Sequence, residues 1–87
     1  MTEIVQVQDI ICKISQIISA EQDGVLDSEQ VKIACKSLID VINRAQMGDC
    51  IDNDLYSYLD DADIRSKDVE YARWQVDLAA RVVRLVK

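Results

Sequence analysis

The sequence contains no proline and no histidine, and its 87 residues include only two glycines, Gly24 and Gly48. With so few residues that interrupt regular structure, a turn-rich β fold is disfavoured and a small number of long helices is favoured. Without histidine there is no imidazole to act as general base for a Ser or Cys nucleophile, or to ligate zinc. We therefore expect a protein that is not an enzyme, with no catalytic residues, no metal site and no cofactor.

Cysteine is also scarce. Cys12, Cys35 and Cys50 are odd in number and share no CxxC spacing, which predicts free thiols in a reducing compartment. The first residues lack the basic flank and apolar run of a secretory signal, and no apolar run is long enough to span a membrane. The sequence therefore predicts a cytoplasmic location and no membrane partner.

Apolar residues form 49% of the chain and charged residues 30%, a composition typical of a globular protein. The length predicts a single domain over residues 1–87. The net charge of −6 is unevenly placed, because residues 49–63 carry six acids and no base. Residues 65–87 instead carry six bases and three acids. An acidic protein repels phosphate backbones, so we expect no direct nucleic-acid binding and a basic protein as partner.

Apolar residues recur at steps of three and four, which predicts three helices at about residues 3–22, 28–47 and 52–87. Asp27 and Gln30 form the pattern of a capping box at the start of the second helix, and Gly48 is expected to end it. In the third region the apolar register continues through residues 63–66, where Arg65 is the only misfit. The predicted fold class is therefore an all-α, three-helix bundle with a long C-terminal helix, or four helices if a break falls near residues 63–66.

The last predicted helix carries two apolar stripes, which together cover more than half of its circumference. Two short helices would not cover so wide an apolar surface, so the sequence predicts a homo-oligomer, most simply a dimer. The expected oligomer interface is the second stripe, Tyr71, Trp74, Leu78, Val82 and Leu85.

The acidic segment predicts a docking surface for another protein. On a helix, one outward arc would contain Asp52, Tyr56, Asp60 and Asp63. Acids around a Tyr ring suit an Arg- and Lys-lined partner and can also substitute for phosphate groups. We therefore expect a small interaction module of the inhibitor or immunity type, which docks on a basic, nucleic-acid-binding protein. Alternatively, this face only keeps the protein in solution, and the chain is a structural oligomerisation module.

A short motif suggests another function. The segment Gly24-Val25-Leu26-Asp27-Ser28, at the start of a predicted helix, resembles a stretch of the acyl and peptidyl carrier proteins. The resemblance implies a carrier-like domain that attaches phosphopantetheine at Ser28. It covers five residues, and Glu29 stands where that family has an apolar residue. A plain helix cap explains Asp27 and Ser28 equally well.

Overall fold

A computed structural model describes residues 6–86, which form five α-helices and no strand. The helices are α1 (Val7–Gln22), α2 (Ser28–Arg44), α3 (Asn53–Asp60), α4 (Ala62–Lys67) and α5 (Val69–Val86), with a 3-10 turn at Gly48–Cys50. The all-α prediction is confirmed, while the predicted helical residues 3–5 and 87 lie outside the described range. None of the described helices has the length and apolar character needed to cross a membrane.

The core lies between α1 and α2 and is closed by the inner faces of α3 and α5. Each of the first two helices buries one apolar stripe at helical spacing, as the sequence predicts. The buried side chains of these two helices are Ile10, Ile11, Ile14 and Ile18 in α1, and Val31, Cys35, Leu38 and Ile42 in α2.

The boundaries of α1 and α2 follow from local hydrogen bonds. Gly24 adopts a φ of 70°, the left-handed conformation that commonly follows a helix, as expected. The predicted capping box at the start of α2 is present, since Asp27 and Gln30 exchange hydrogen bonds of 2.9 Å. The prediction that Gly48 ends α2 is wrong: the left-handed position is Gln46, with φ 56°. The Met47 amide then donates to the Ile42 carbonyl at 3.0 Å, which closes the helix end.

The structure replaces the predicted long C-terminal helix by three helices, with joints at Asp61 and Asp68 rather than near residues 63–66. Asp61 has φ −93° and ψ 12°, and its carboxylate accepts hydrogen bonds from side chains of α5. Asp68 is extended, and its carboxylate accepts from the Tyr71 amide at 3.0 Å. The hydrogen bonds of these two carboxylates compete with the backbone hydrogen bonds of one continuous helix. The spacing of apolar residues alone does not reveal such hydrogen bonds. As a result α5 folds back against α1 and α3.

Candidate functional site

The most unusual side chain of the core is Arg65 of α4, which is 2% exposed. It occupies the stripe position where the sequence pattern has its misfit. Its Nε and Nη2 atoms donate to the two carboxylate oxygens of Glu21 in α1, at 3.0 and 3.1 Å. This two-pronged contact neutralises the buried cation. Arg65 is therefore a structural connector between α1 and α4.

The remaining donors of Arg65 extend this contact into a network. Nη1 donates to the backbone carbonyl of Tyr58 and, at 2.8 Å, to Oε1 of Gln75. The Tyr58 hydroxyl donates to Glu21 at 2.6 Å. Gln75 in turn donates to Asp61 at 2.9 Å, and the Tyr71 hydroxyl donates to the same carboxylate oxygen at 2.6 Å. Within residues 6–86, every buried side-chain nitrogen and oxygen has a hydrogen-bond partner.

The Cys35 thiol and the Tyr58 hydroxyl near Arg65 are held in their neutral forms. Burial raises the pKa of the Cys35 thiol to about 11, although the nearby Arg65 cation opposes this rise. Burial, and then the hydrogen bond to Glu21, raise the pKa of the Tyr58 hydroxyl far above its ordinary value. Both groups are enclosed and protonated at neutral pH, so neither is placed to act as a nucleophile or a base. In the described part of the chain, no three His, Cys, Asp or Glu side chains converge on a possible metal position.

The exposed side of α3 carries the acidic residues that the sequence assigns to partner binding. Asp52 caps α3 by accepting from the Asp54 amide at 2.9 Å, and Asp60 is exposed on the last turn. Tyr56 is half-buried, and its hydroxyl donates to Asn43 of α2 at 3.4 Å. The apolar side of this segment is buried in the core: Ile51, Leu55, Tyr58, Leu59 and Ala62.

Asp63 differs from the other three predicted residues. It belongs to α4, beyond the joint at Asp61, and lies 3.8 Å from Lys32 and 3.4 Å from Lys67. Two further acids of this segment, Asp49 and Asp54, are exposed but lie outside the arc predicted through Asp52. We use the name acidic α3 face for the four exposed acids of α3 and of the turn before it, Asp49, Asp52, Asp54 and Asp60, which are distributed around the exposed side of this segment rather than along one arc. None of these four carboxylates has a cation within 4.0 Å among residues 6–86.

The predicted oligomer stripe on α5 is partly covered by the protein's own chain. Val82 is only 9% exposed and belongs to the core, while Tyr71 and Leu78 are half-buried. Trp74 and Leu85 remain 56% and 85% exposed. More of the apolar surface of α5 is therefore covered within one chain than the sequence predicts, because α3 and α4 both pack against α5.

Ser28, the residue of the carrier-like motif, is exposed at the first position of α2. An open apolar groove runs between α1 and α2, and its lining includes Leu26, Ile17 and Leu38. Comparison of the chain with protein-family models, curated proteins and solved structures finds no significant match. The proposals below are therefore drawn from the residues and their geometry.

Proposed function

We propose that this protein is a non-catalytic interaction module whose acidic α3 face docks on a basic surface of a partner protein. The observation that carries the proposal is that Asp49, Asp52, Asp54 and Asp60 lack a counter-cation among residues 6–86. Asp9, Asp23 and Asp40 also lack an ion pair in this range, but they lie apart on α1, just after α1 and on α2, whereas these four acids fall within one short segment of the chain. The unpaired carboxylates give this surface a negative potential that attracts and orients a basic partner.

The firm packing of α3 on the core favours specific binding over nonspecific electrostatic attraction. The inner side of α3 is anchored by Leu55, Tyr58 and Leu59, each 2% exposed or less. The carboxylates therefore sit on a fixed support, and binding costs little backbone entropy. Half-buried Tyr56 adds a rigid ring at the edge of this surface.

The class of partner follows from the charge. Arg- and Lys-rich surfaces that bind nucleic acids present cations to rows of phosphates. A group of exposed carboxylates on a rigid helix can occupy such a surface in place of the phosphates. We therefore propose an inhibitor or immunity type of function, in which the protein blocks a nucleic-acid-binding protein.

The test compares two variants with the same loss of charge. Asp49, Asp54 and Asp60 are changed to Asn in the first variant, and Asp9, Asp23 and Asp40 to Asn in the control. All six side chains are exposed. Each protein is immobilised, and basic proteins captured from extracts of its source cells are quantified by mass spectrometry.

We expect a basic protein that the wild type and the control retain equally and that the first variant loses. Equal loss from both variants would mean that net charge alone drives capture, and would overturn the proposal. Asp52 is left unchanged because it caps α3. Its replacement by Asn, which also caps helices well, removes the fourth charge in a further variant.

A second candidate function is favoured by the exposure of Ser28 at the start of α2, two residues after Leu26, which lines the apolar groove. A carrier-like domain would attach phosphopantetheine to this hydroxyl. The intact mass of the protein purified from its source cells tests this function. An adduct that is lost in Ser28→Ala would support it, and an unmodified chain would exclude it.

A further inference from the structure

The exposed face of α5 has opposite charges at its two ends. Glu70 lies near its start, Arg73 follows three residues later, and Arg81 and Arg84 lie near its end, all exposed. Between the two ends, Trp74 is 56% exposed. Such a charge arrangement is complementary to a second copy of itself when the two helices run in opposite directions.

A shallow depression on this face is suited to a guanidinium group. It is lined by Glu70, Arg73, Trp74 and Asp77, so two carboxylates and the guanidinium of Arg73 border an indole ring, and Glu70 is the carboxylate that has no counter-ion of its own in the described part of the chain. Carboxylates form strong charge-assisted hydrogen bonds with arginine, and the face of an indole attracts cations. Within residues 6–86, Arg81 pairs with Asp77 at 2.7 Å, whereas Glu70 and Arg84 have no ion-pair partner.

We propose that α5 packs antiparallel on α5 of a second copy, so that Arg84 of each copy enters the depression beside Trp74 of the other. Glu70 and Arg84 lie seven residues before and after Asp77. A two-fold axis near Asp77 therefore brings both Glu70–Arg84 pairs together at once. Each Asp77 near the axis keeps its own Arg81 as counter-ion, so Arg73 of one copy faces the neutralised Asp77–Arg81 pair of the other. A parallel pair would instead place Glu70 against Glu70 and Arg84 against Arg84.

The apolar residues of the face agree with this arrangement. Leu85 is 85% exposed and follows Arg84, so in the antiparallel pair it packs towards Tyr71 and Trp74 of the other copy. Tyr71 and Trp74 already form a ring pair, with centroids 5.6 Å apart. Val82, which the sequence analysis placed in the interface, is buried in its own subunit and takes no part. The proposed contact uses no residue of the acidic α3 face and is independent of the function proposed above.

The central test is a charge exchange followed by sedimentation equilibrium on the full chain. Glu70→Arg and Arg84→Glu should each raise the dimer dissociation constant about tenfold or more, because each places like charges in contact. The double variant should return to within about threefold of the wild-type constant, because the exchanged pair forms again between copies. Within one chain these residues are about 21 Å apart along the helix, so an intrachain contact cannot produce the rescue. Lys36→Glu, an exposed reversal on α2, serves as control and should leave the constant unchanged.

A disulfide experiment tests the direction of the helices. Exposed Cys12 and Cys50 are first changed to Ser, and Glu70→Cys and Arg84→Cys are then introduced in separate chains. On mixing and mild oxidation, the antiparallel pair gives mainly the mixed disulfide between the two kinds of chain. Disulfides mainly between identical chains would overturn the proposal. So would a wild-type monomer at all concentrations, or a double variant no better than the single ones.

Discussion

The guanidinium of Arg65 lies 3.9 Å from the ring centroid of Tyr58, and both side chains bind the carboxylate of Glu21. The three residues come from α4, α3 and α1, so a single polar cluster fixes how these helices meet. A buried ion pair stabilises little by itself, because removing its charges from water has a cost. Removing only one partner is far more damaging, because the other stays buried without compensation.

Arg65→Met should lower the free energy of unfolding by about 3 kcal/mol. The substitution leaves the Glu21 carboxylate and the Gln75 amide oxygen without their main donor. Urea denaturation of the purified protein measures the loss. Lys67→Met is the matched control, because Lys67 is 74% exposed and its pair with Asp63 is solvated, so a change of about 0.5 kcal/mol or less is expected. Equal effects of the two substitutions would show that the cluster does not stabilise the fold.

Stability should fall in alkaline solution. Burial raises the pKa of Cys35 from 9.0 to about 11, so between these values the thiol ionises in the unfolded chain but stays protonated in the folded one. The unfolded state then binds fewer protons, and the free energy of unfolding falls with rising pH by about 2 kcal/mol over this interval. Urea midpoints at pH 8, 9, 10 and 11 measure the fall. In Cys35→Ala, the free energy of unfolding should fall less steeply with pH. Part of the fall that remains comes from Tyr58, whose pKa is also raised. An unchanged slope would contradict this assignment.

Two of the three thiols should react with a thiol reagent in the native protein. Cys12 and Cys50 are exposed, whereas Cys35 is fully buried with a raised pKa. At pH 8, a chromogenic disulfide should therefore label two thiols rapidly, and the third only after denaturant is added. Cys12→Ser and Cys50→Ser should each reduce the number of rapidly reacting thiols by one. A third rapidly reacting thiol in the wild type would show that Cys35 is accessible to the reagent.

Gln46 and Gly24, the two residues with left-handed backbone conformation at helix ends, should change stability in opposite directions when they are substituted. Gln46 has a φ of 56° that suits glycine better, so Gln46→Gly should raise the free energy of unfolding by about 0.5–1 kcal/mol. Gly24→Ala should lower it by about 1 kcal/mol, through backbone strain alone, since an added Cβ would meet nothing within 4 Å. Thermal or urea unfolding measures both changes. Stabilisation by Gly24→Ala would mean that the α1 end is not left-handed in solution.

Local patterns predicted much of the fold, because helical periodicity and capping depend on residues close in sequence. The apolar stripes of α1 and α2, which run through Ile14 and Cys35, and the capping box at Asp27 are all present. The joints at Asp61 and Asp68 were missed. At Asp61 the local sequence continues the helical pattern, and the competing partners Tyr71 and Gln75 lie on the next long helix.

Arg65 shows most directly what sequence reasoning could not supply. A charged residue on an apolar stripe signals a break in the pattern, but its half-buried partner Glu21 is 44 positions earlier. Its second partner, Gln75, carries no sequence signal of burial. The acidic α3 face was visible as composition, whereas the separation of Asp63 from it depends on contacts with Lys32 and Lys67 that only the folded chain makes.

The short helix α4 has a consequence for how the molecule opens. Its six residues would not stay helical in isolation. Unfolding α4 would, however, separate the guanidinium of Arg65 from Glu21 and Gln75. We therefore expect that α4 cannot unfold while the helices around it stay folded. We expect the hydrogen-bonded amide protons of α4 to exchange with heavy water only when the whole fold opens, as slowly as those in the middle of α1.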